Sequence, residues 1–568
     1  MKRNKIFALL VVFALLSAVS LSPASAAAGS ANVNVQILAV NDFHGAVDPS
    51  LTKPSSSDQA TWYYRGGAEY LVKFMDAAVA TNPNTIKISA GDMIGASPLL
   101  SALFHDEPTV MAFNQMGLDY NVSGNHEYDE GWNELLRMQN GGCHPTDGCF
   151  PGVPVFPGAS FKYLSGNVVR LADGRTLFPA YAVRQINGVK IGIIGIALEA
   201  TPTIVVPSGV DGLKFKAEVA TINQYVQMLK NTLRVKAIVV VLHDGAGAAP
   251  SYNACNAADP FFANVVMKIN PEVDVLITGH THNAYNCQIK VHQNFAPMIV
   301  TGAGYNGRYM TDIDLTIAKI SGQVVARTAT NVPVETPYLG AVPDPAMKAL
   351  LDQYRVASAP LANRVVGSIT ADIKRGANMD ESALGDVIAD AQLAATIAPD
   401  AGAAVIAMTN PGGIRTDLLY NTISGGELVG EVTYAEAFAV QPFSNSLVTM
   451  TLTGAQIKAV LEQQATAGSD GSGRMLQISH SLTYTWTLSA PVGSKVSDMK
   501  INGTPIDLAA SYRVTVNNFL AGGGDGFTAL LAGTDLLTGI IDLDAFVAYL
   551  TANSPVPPGP QNRITKLP

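Results

Sequence analysis

Residues 36–45 read QILAVNDFHG: an apolar run, Ile37 to Val40, ends abruptly in Asn41, Asp42, His44 and Gly45. Such a run favours extended backbone, and the polar turn chemistry stops it. The same grammar returns four times, in IKISAGDM (86–93), YNVSGNHEYDEG (120–131), VVVLHDGAG (239–247) and LITGHTHN (276–283). A further apolar run, KIGIIGIA (190–197), and two stretches of helical periodicity, AEYLVKFMDAAVA (68–80) and EVATINQYVQMLKNTL (218–233), lie among them. Strands alternating with helices predict an α/β domain. Strand ends on one side of such a sheet converge on one crevice. The residues so placed are Asp42, His44, Asp92, Asn125, His126, His243, His280 and His282. Carboxylate, imidazole and amide donors in that number suit more than one divalent metal. A carboxylate shared by two ions sets them about 3.5–4 Å apart, a spacing suited to phosphoester hydrolysis. A lone His at a strand end is ordinarily structural, and His105, His144, His292 and His480 are read that way; five segments with one grammar are not.

At 568 residues the chain is too long for one ordinary domain. Its 48% hydrophobic residues and mean hydropathy of +0.20 fill a core and exclude global disorder. Lys+Arg 36 against Asp+Glu 45 leaves a net charge of −9, without a long basic run, which argues against a nucleic-acid partner. Lys2, Arg3 and Lys5, the apolar stretch 6–19 and Ala24-Ser25-Ala26 make residues 1–28 a signal peptide. The apolar stretch is shorter than the roughly 20 residues of a spanning helix. The expectation is an exported protein, periplasmic or extracellular, with no membrane partner after signal cleavage. Export permits disulfides. Cys143 and Cys149 bracket a Gly/Pro-rich stretch and are expected to pair, with Cys255 and Cys287 as the second candidate pair. A zinc site using His144 is the rival, disfavoured because only two thiols lie close together and no CxxC is present.

The predicted organisation is an α/β unit over 33–335, a Pro-rich linker and helix over 336–365 acting as a hinge, and a second unit over 366–568. In the second unit, NPGGIRTDL (410–418) follows a strand-like run, and QPFSN (441–445) and NNFLAGGGDGF (517–527) lie further on. Glycines there let backbone approach a ligand, and Arg415 offers a planar fork to oxyanions.

In order and spacing, DFHG, GDMIG, GNHEYDEG, LHDG and GHTHN resemble the signature blocks of the calcineurin-like metallophosphoesterases, and the three later blocks resemble the C-terminal domain of the secreted 5'-nucleotidase family. The resemblance spans roughly residues 33–550. It implies a four-layer α/β/β/α metallophosphoesterase domain joined by a linker helix to a smaller mixed α/β domain. It also implies two divalent ions of the Zn, Mn, Co or Mg kind. Asp42, His44, Asp92 and His282 would hold one ion, and Asp92, Asn125, His243 and His280 the other. Relatives often carry Gln where His282 stands. His126 matches the family's catalytic histidine and Asp129 its orienting carboxylate. Asn410, Gly412, Gly413, Arg415 and Asp525 would contact substrate, and Phe443 and Phe527 would sandwich the base. Relatives carry further arginines near the block matching 382–390; here Asp380 and Glu381 precede it and Arg375 is nearest.

The implied activity is hydrolysis of nucleoside 5'-monophosphates by a monomer, a dimer being the alternative. A 2',3'-cyclic-nucleotide phosphodiesterase with 3'-nucleotidase activity and a nucleotide-sugar hydrolase share the same centre. A nucleotide-binding or cell-surface interaction protein without turnover is the rival from another class, disfavoured by the intact ligand set. Two decoys are set aside. Residues 302–307 fit GxGxxG but precede a strand-like run, whereas a pyrophosphate needs a helix N-terminus. Asn121-Val122-Ser123 fits a glycosylation acceptor but lies on a strand entering the ligand cluster.

Overall fold

The computed structural model describes residues 31–52, 63–150, 155–336, 342–468 and 471–568. The signal-like segment 1–28 lies outside the described residues, as do positions 337–341 of the linker. The first half is built on two six-stranded sheets. One runs, in spatial order, Val324–Pro333, Tyr309–Ala318, Asn32–Val40, Thr85–Ser89, Tyr120–Val122, Lys162–Leu164. The other runs Ala284–Ile289, Met298–Ala303, Val275–Thr278, Ala237–Leu242, Val189–Ile196, Tyr181–Ile186. Alternation along Asn32–Val40 sets the layers. Val33, Val35, Ile37 and Ala39 face the second sheet in a shared core with Ile191, Val239, Val241 and Ile277, while Leu38 and Val40 face helices. Helices Ala68–Thr81, Glu107–Met116 and Trp132–Asn140 cover the outside of the first sheet, and Glu218–Asn231 with Pro260–Asn264 covers the second. The order is therefore helix, sheet, sheet, helix, the four layers that the resemblance implied.

Strands Asn32–Val40, Thr85–Ser89 and Tyr120–Val122 run parallel, as do Ala237–Leu242 and Val275–Thr278 in the facing sheet. Their C-terminal ends open on one edge of the sandwich, so the five turns meet there. The decoys resolve as expected: residues 302–307 lead into strand Tyr309–Ala318, and Asn121 is fully buried, its amide donating to Glu127 Oε1 at 3.1 Å.

Helix Pro345–Ala362 opens on Asp344, whose side chain accepts the Met347 N–H. It is packed onto the first half through Met347 and Leu351, and Arg355 pairs with Glu69 at 2.7 Å and with Asp48. The second half has a five-stranded sheet ordered Gln477–Ile478, Ile406–Thr409, Ser511–Asn517, Ser446–Thr453, Thr534–Ile541, and a four-stranded sheet through Leu482–Thr487. Helices Ala383–Thr396, Gly454–Gln463 and Asp542–Asn553 pack against them. Cys143–Cys149 and Cys255–Cys287 are both disulfides, so no thiol is left to ligate zinc beside His144.

Candidate metal centre and substrate cleft

Five of the ligand candidates sit in left-handed backbone: Asp42 (φ 50°), His44 (49°), Asp92 (47°), His280 (67°) and His282 (60°). That region is costly for residues with a Cβ and persists where the surroundings impose it, a pattern typical of functional sites. Glycines make the room. A Cβ on Gly91 would lie 2.6 Å from His243 Nδ1, and one on Gly124 would collide with the Asp92 carboxylate.

Six of the seven metal candidates and His126 come together, in three overlapping groups: Asp42, His44, His282; His44, Asp92, His126; and Asp92, His243, His280. Asn125 Oδ1 joins the third, 3.2 Å from His243 Nε2 and 3.0 Å from His280 Nδ1. Asp92 Oδ2 lies 3.1 Å from His243 Nε2 and 3.8 Å from His44 Nε2, so this carboxylate stands between the groups. The donor chemistry fits a cation. His44 Nδ1 donates to Gly95 O (2.9 Å) and His243 Nδ1 to Ala90 O (2.8 Å), which turns both Nε2 lone pairs into the cluster. His44 Nε2 and His282 Nε2 are 3.0 Å apart. Burial pushes His44 down to about 3, and burial with His44 and Arg415 holds His282 well below its ordinary range. That separation suits an N–H···N hydrogen bond from the Nε2–H tautomer of His282, and with the other tautomer both lone pairs face one point where a cation would sit.

His126 Nδ1 donates to Asp129 Oδ2 at 2.7 Å, and its own N–H bonds Asp92 Oδ1 at 2.8 Å. Burial opposes a charge on this imidazole, but Asp129 and Asp92 outweigh it and raise its proton affinity above the ordinary value.

Sequence reasoning passed over two residues that hold the loops. Glu127 is 3% exposed and its carboxylate accepts the N–H groups of Asp92 (2.9 Å), Met93 (3.0 Å) and Gly124 (2.6 Å) and the Asn121 amide. Asn41 donates to Asp42 Oδ2 and Gly304 O and accepts the Ala303 N–H. The signal was present, since both adjoin a ligand or catalytic candidate, but polar neighbours of ligands in turns look alike in sequence.

The substrate candidates of the second half face this cluster across a cavity of about 290 Å³, lined by Asn125, His126, Asp129 and His280 on one side and by Asn410, Gly412, Gly413, Arg415, Phe443 and Asp525 on the other. A capping box of Thr433 and Glu436 starts helix Tyr434–Val440, and the Arg415 N–H bonds Val440 O at 2.9 Å. The Arg415 guanidinium thereby lies 5.6 Å from the Phe443 ring centroid, and that ring stacks on His126 at 5.7 Å. Arg375 Nη1 donates to Ile414 O at 3.2 Å, which brings a second guanidinium near Arg415, and burial together with that charge lowers the Arg415 pKa. Asn410 Nδ2 donates to Asp525 Oδ2 at 3.0 Å, tying the two glycine-rich turns together.

Phe527 is the correction. It is fully buried in the core with Val516, Leu520 and Leu530 and does not reach the cavity. Phe519, in the short helix Asn518–Ala521, lines the cavity instead. Gly524 makes room for that ring, since a Cβ there would lie 2.5 Å from Phe519 Cε2. Within NNFLAGGGDGF either aromatic fits the pattern, and only packing separates them. Arg474, Asn378 and Asn445 also line the cavity and were not foreseen.

Residues 35–284 match the calcineurin-like phosphoesterase family, and residues 365–532 match the 5'-nucleotidase C-terminal domain. A cell wall protein of Listeria monocytogenes is 33% identical, over 93% of this chain and 68% of its own length. The endonuclease YhcR of Bacillus subtilis is 31% identical over 91% of this chain, and the match spans 40% of that relative's length. The crystal structure of a 5'-nucleotidase precursor from Thermus thermophilus superposes with a TM-score of 0.75 at 26% identity, covering 94% of this chain and 99% of that one.

Proposed function

The chain belongs to the 5'-nucleotidase family of calcineurin-like phosphoesterases, metal-dependent phosphoester hydrolases, and from that premise we propose that it removes phosphate from nucleoside 5'-monophosphates. One observation carries the reading. Asn125 and His280 of the metal-ligand cluster and the Arg415, Phe443, Asn410 and Asp525 side chains of the second half line a single cavity, with His126 and Asp129 at the junction. A phosphate at the cluster and a base between Phe443 and Phe519 would be held at once.

Asp42, His44, Asp92 and His282 would hold one divalent ion, and Asp92, Asn125, His243 and His280 a second. Bound there, such ions supply a hydroxide-like water near neutral pH and neutralise phosphoryl oxygens. The protein's part is orientation and proton handling. Asp129 fixes the His126 tautomer, leaving Nε2 toward the cleft. Asp129 and Asp92 raise the proton affinity of His126, which suits it to give a proton to the leaving ribose oxygen. Arg415 and Arg375 supply positive charge against the phosphate. The two rings offer stacking, which tolerates any base.

The reading includes export. It is supported by the signal-like pattern of residues 1–28, by two disulfides and by relatives described as a precursor and a cell wall protein. No helix among the described residues is long and apolar enough to cross a membrane. The test is phosphate release, with added Mn or Zn, from AMP, 3'-AMP, 2',3'-cyclic AMP and a nucleotide sugar. AMP is expected to have the highest kcat/KM. Preference for the cyclic or 3' ester would move the protein to the neighbouring activity, and no turnover of any substrate would leave a binding protein.

A further inference from the structure

We propose that His105, Glu130, Glu134 and His144 form an additional structural metal site, of the zinc class, apart from the phosphoesterase centre. One ligand atom from each of the four lies within 4.8 Å of the others. They come from three separate places in the chain: the turn after the short helix Leu99–Ala102, the segment entering helix Trp132–Asn140 together with that helix's first turn, and the disulfide-closed loop 143–149. Two imidazoles with carboxylates are a donor set that borderline divalent ions accept and that Ca²⁺ or Mg²⁺, which prefer oxygen alone, do not favour.

The local contacts exceed what an ion-pair cluster needs. His105 is clamped by Glu130 Oε2 at Nδ1 (2.7 Å) and by Asp147 Oδ2 at Nε2 (2.9 Å), which satisfies a protonated ring completely. Yet a second imidazole, His144, stacks on it at 3.7 Å with the planes 14° apart. His144 Nδ1 accepts the Asp147 backbone N–H at 3.1 Å, so that nitrogen carries a lone pair, which an ion would take over from the backbone. The loop carrying it is already fixed by Cys143–Cys149 and by paired backbone bonds between His144 and Gly148, 3.1 and 2.9 Å long. Ordering the loop therefore does not require the His105 ion pairs. Glu134 is neutralised by Arg137 at 2.7 Å, which limits the negative charge gathered around the ion. His105, Glu130, Glu134 and Asp147 all line a cavity of about 420 Å³ that His126 also borders, so a hydrated ion has access.

Binding needs a local rearrangement of these side chains, of which Glu130 is half-exposed and His105, His144 and Glu134 are mostly buried. The His105 proton leaves to solvent, the imidazoles turn out of the stack, and the four donors close toward the separations of a tetrahedral site with bonds of roughly 2.0–2.2 Å. The consequence is mechanical. Glu130 follows Asp129 directly, so an ion here pins the end of the turn that carries His126.

The test counts zinc in the full chain after chelator stripping and dialysis against buffered free zinc. Against wild type, His144→Ala and, as a second variant, His105→Gln should each lose one zinc per chain. Asp92→Ala should lose metal from the phosphoesterase centre and keep this one, and Asp92→Ala with His144→Ala should lose both. This separates the inference from the two-ion reading of the centre. Cobalt bound to Asp92→Ala should give the strong visible absorption of a four-coordinate ion, absent after His144→Ala. Unchanged zinc content in both single variants, with native circular dichroism, would overturn the site and leave a metal-free His105 ion pair.

Discussion

Replacing Glu127 by Gln changes one oxygen to an amide and removes no bulk. Both carboxylate oxygens are in use: Oε2 accepts from the Asp92 and Gly124 N–H groups, and Oε1 from the Met93 N–H and the Asn121 amide. Whichever way the new amide points, its NH₂ faces two N–H donors. Two buried donors then lose their acceptor, at roughly 1–3 kcal/mol each, so the loss is roughly 2–6 kcal/mol. The low end of that range corresponds to a fall in melting temperature of roughly 4–8 °C for a domain of this size. The functional effect is larger than the thermal one. Asp92 and Gly124, the latter adjoining Asn125, are positioned by the same carboxylate, so both proposed ion positions are disturbed together. A 10–100-fold loss of metal affinity is the expected scale for a lost supporting contact. Differential scanning fluorimetry and metal analysis at fixed free-metal concentration measure the two effects. A variant that melts like wild type and holds the same metal would refute the idea that Glu127 organises the two loops.

Further expectations can be checked in the same way. His126→Ala should retain wild-type metal content and lose roughly 10²–10⁴-fold in kcat, as for a proton-transfer group; loss of metal along with activity would make His126 a ligand instead. Phe519→Ala should raise KM for AMP by the equivalent of roughly 1–3 kcal/mol of stacking while a small phosphate ester without a base is turned over normally. Phe527→Ala should do the reverse, costing roughly 3–5 kcal/mol of stability through a core cavity. Burial raises Asp542 to about 7 against donors from Leu543 and Asn445. The folded protein then keeps a proton that the unfolded chain has lost above about pH 4, so this group lowers stability as pH rises from about 4 to about 7. Asp542→Asn should therefore flatten the decline in melting temperature across that range; parallel curves for the two proteins would contradict the shift.

Local sequence settles the elements and the ligand types. Strand ends such as ILAV before NDFHG and LIT before GHTH need nothing from afar: an apolar β-prone run and a polar turn are each decided by a few neighbouring residues. The four-layer arrangement came from the family resemblance, and the structure supplies its physical basis: Val33, Val35, Ile37 and Ala39 face the second sheet while Leu38 and Val40 face helices. The converging metal donors follow from that topology. Long-range packing makes the choices among chemically equal neighbours. Phe519 and Phe527 belong to one motif, and the rings part because one follows Asn517 into a short helix at the cavity while the other starts a turn that points into the core. Glu127 and Glu130 adjoin catalytic candidates alike. Their roles separate because three backbone N–H groups point at the first and an imidazole 25 residues away meets the second. His105 and His144, which sequence left as isolated structural histidines, become a pair only when the fold stacks them. The reason is common to all: propensity and periodicity act over a few residues, whereas the partner of a buried polar group is set by contacts far apart in the chain.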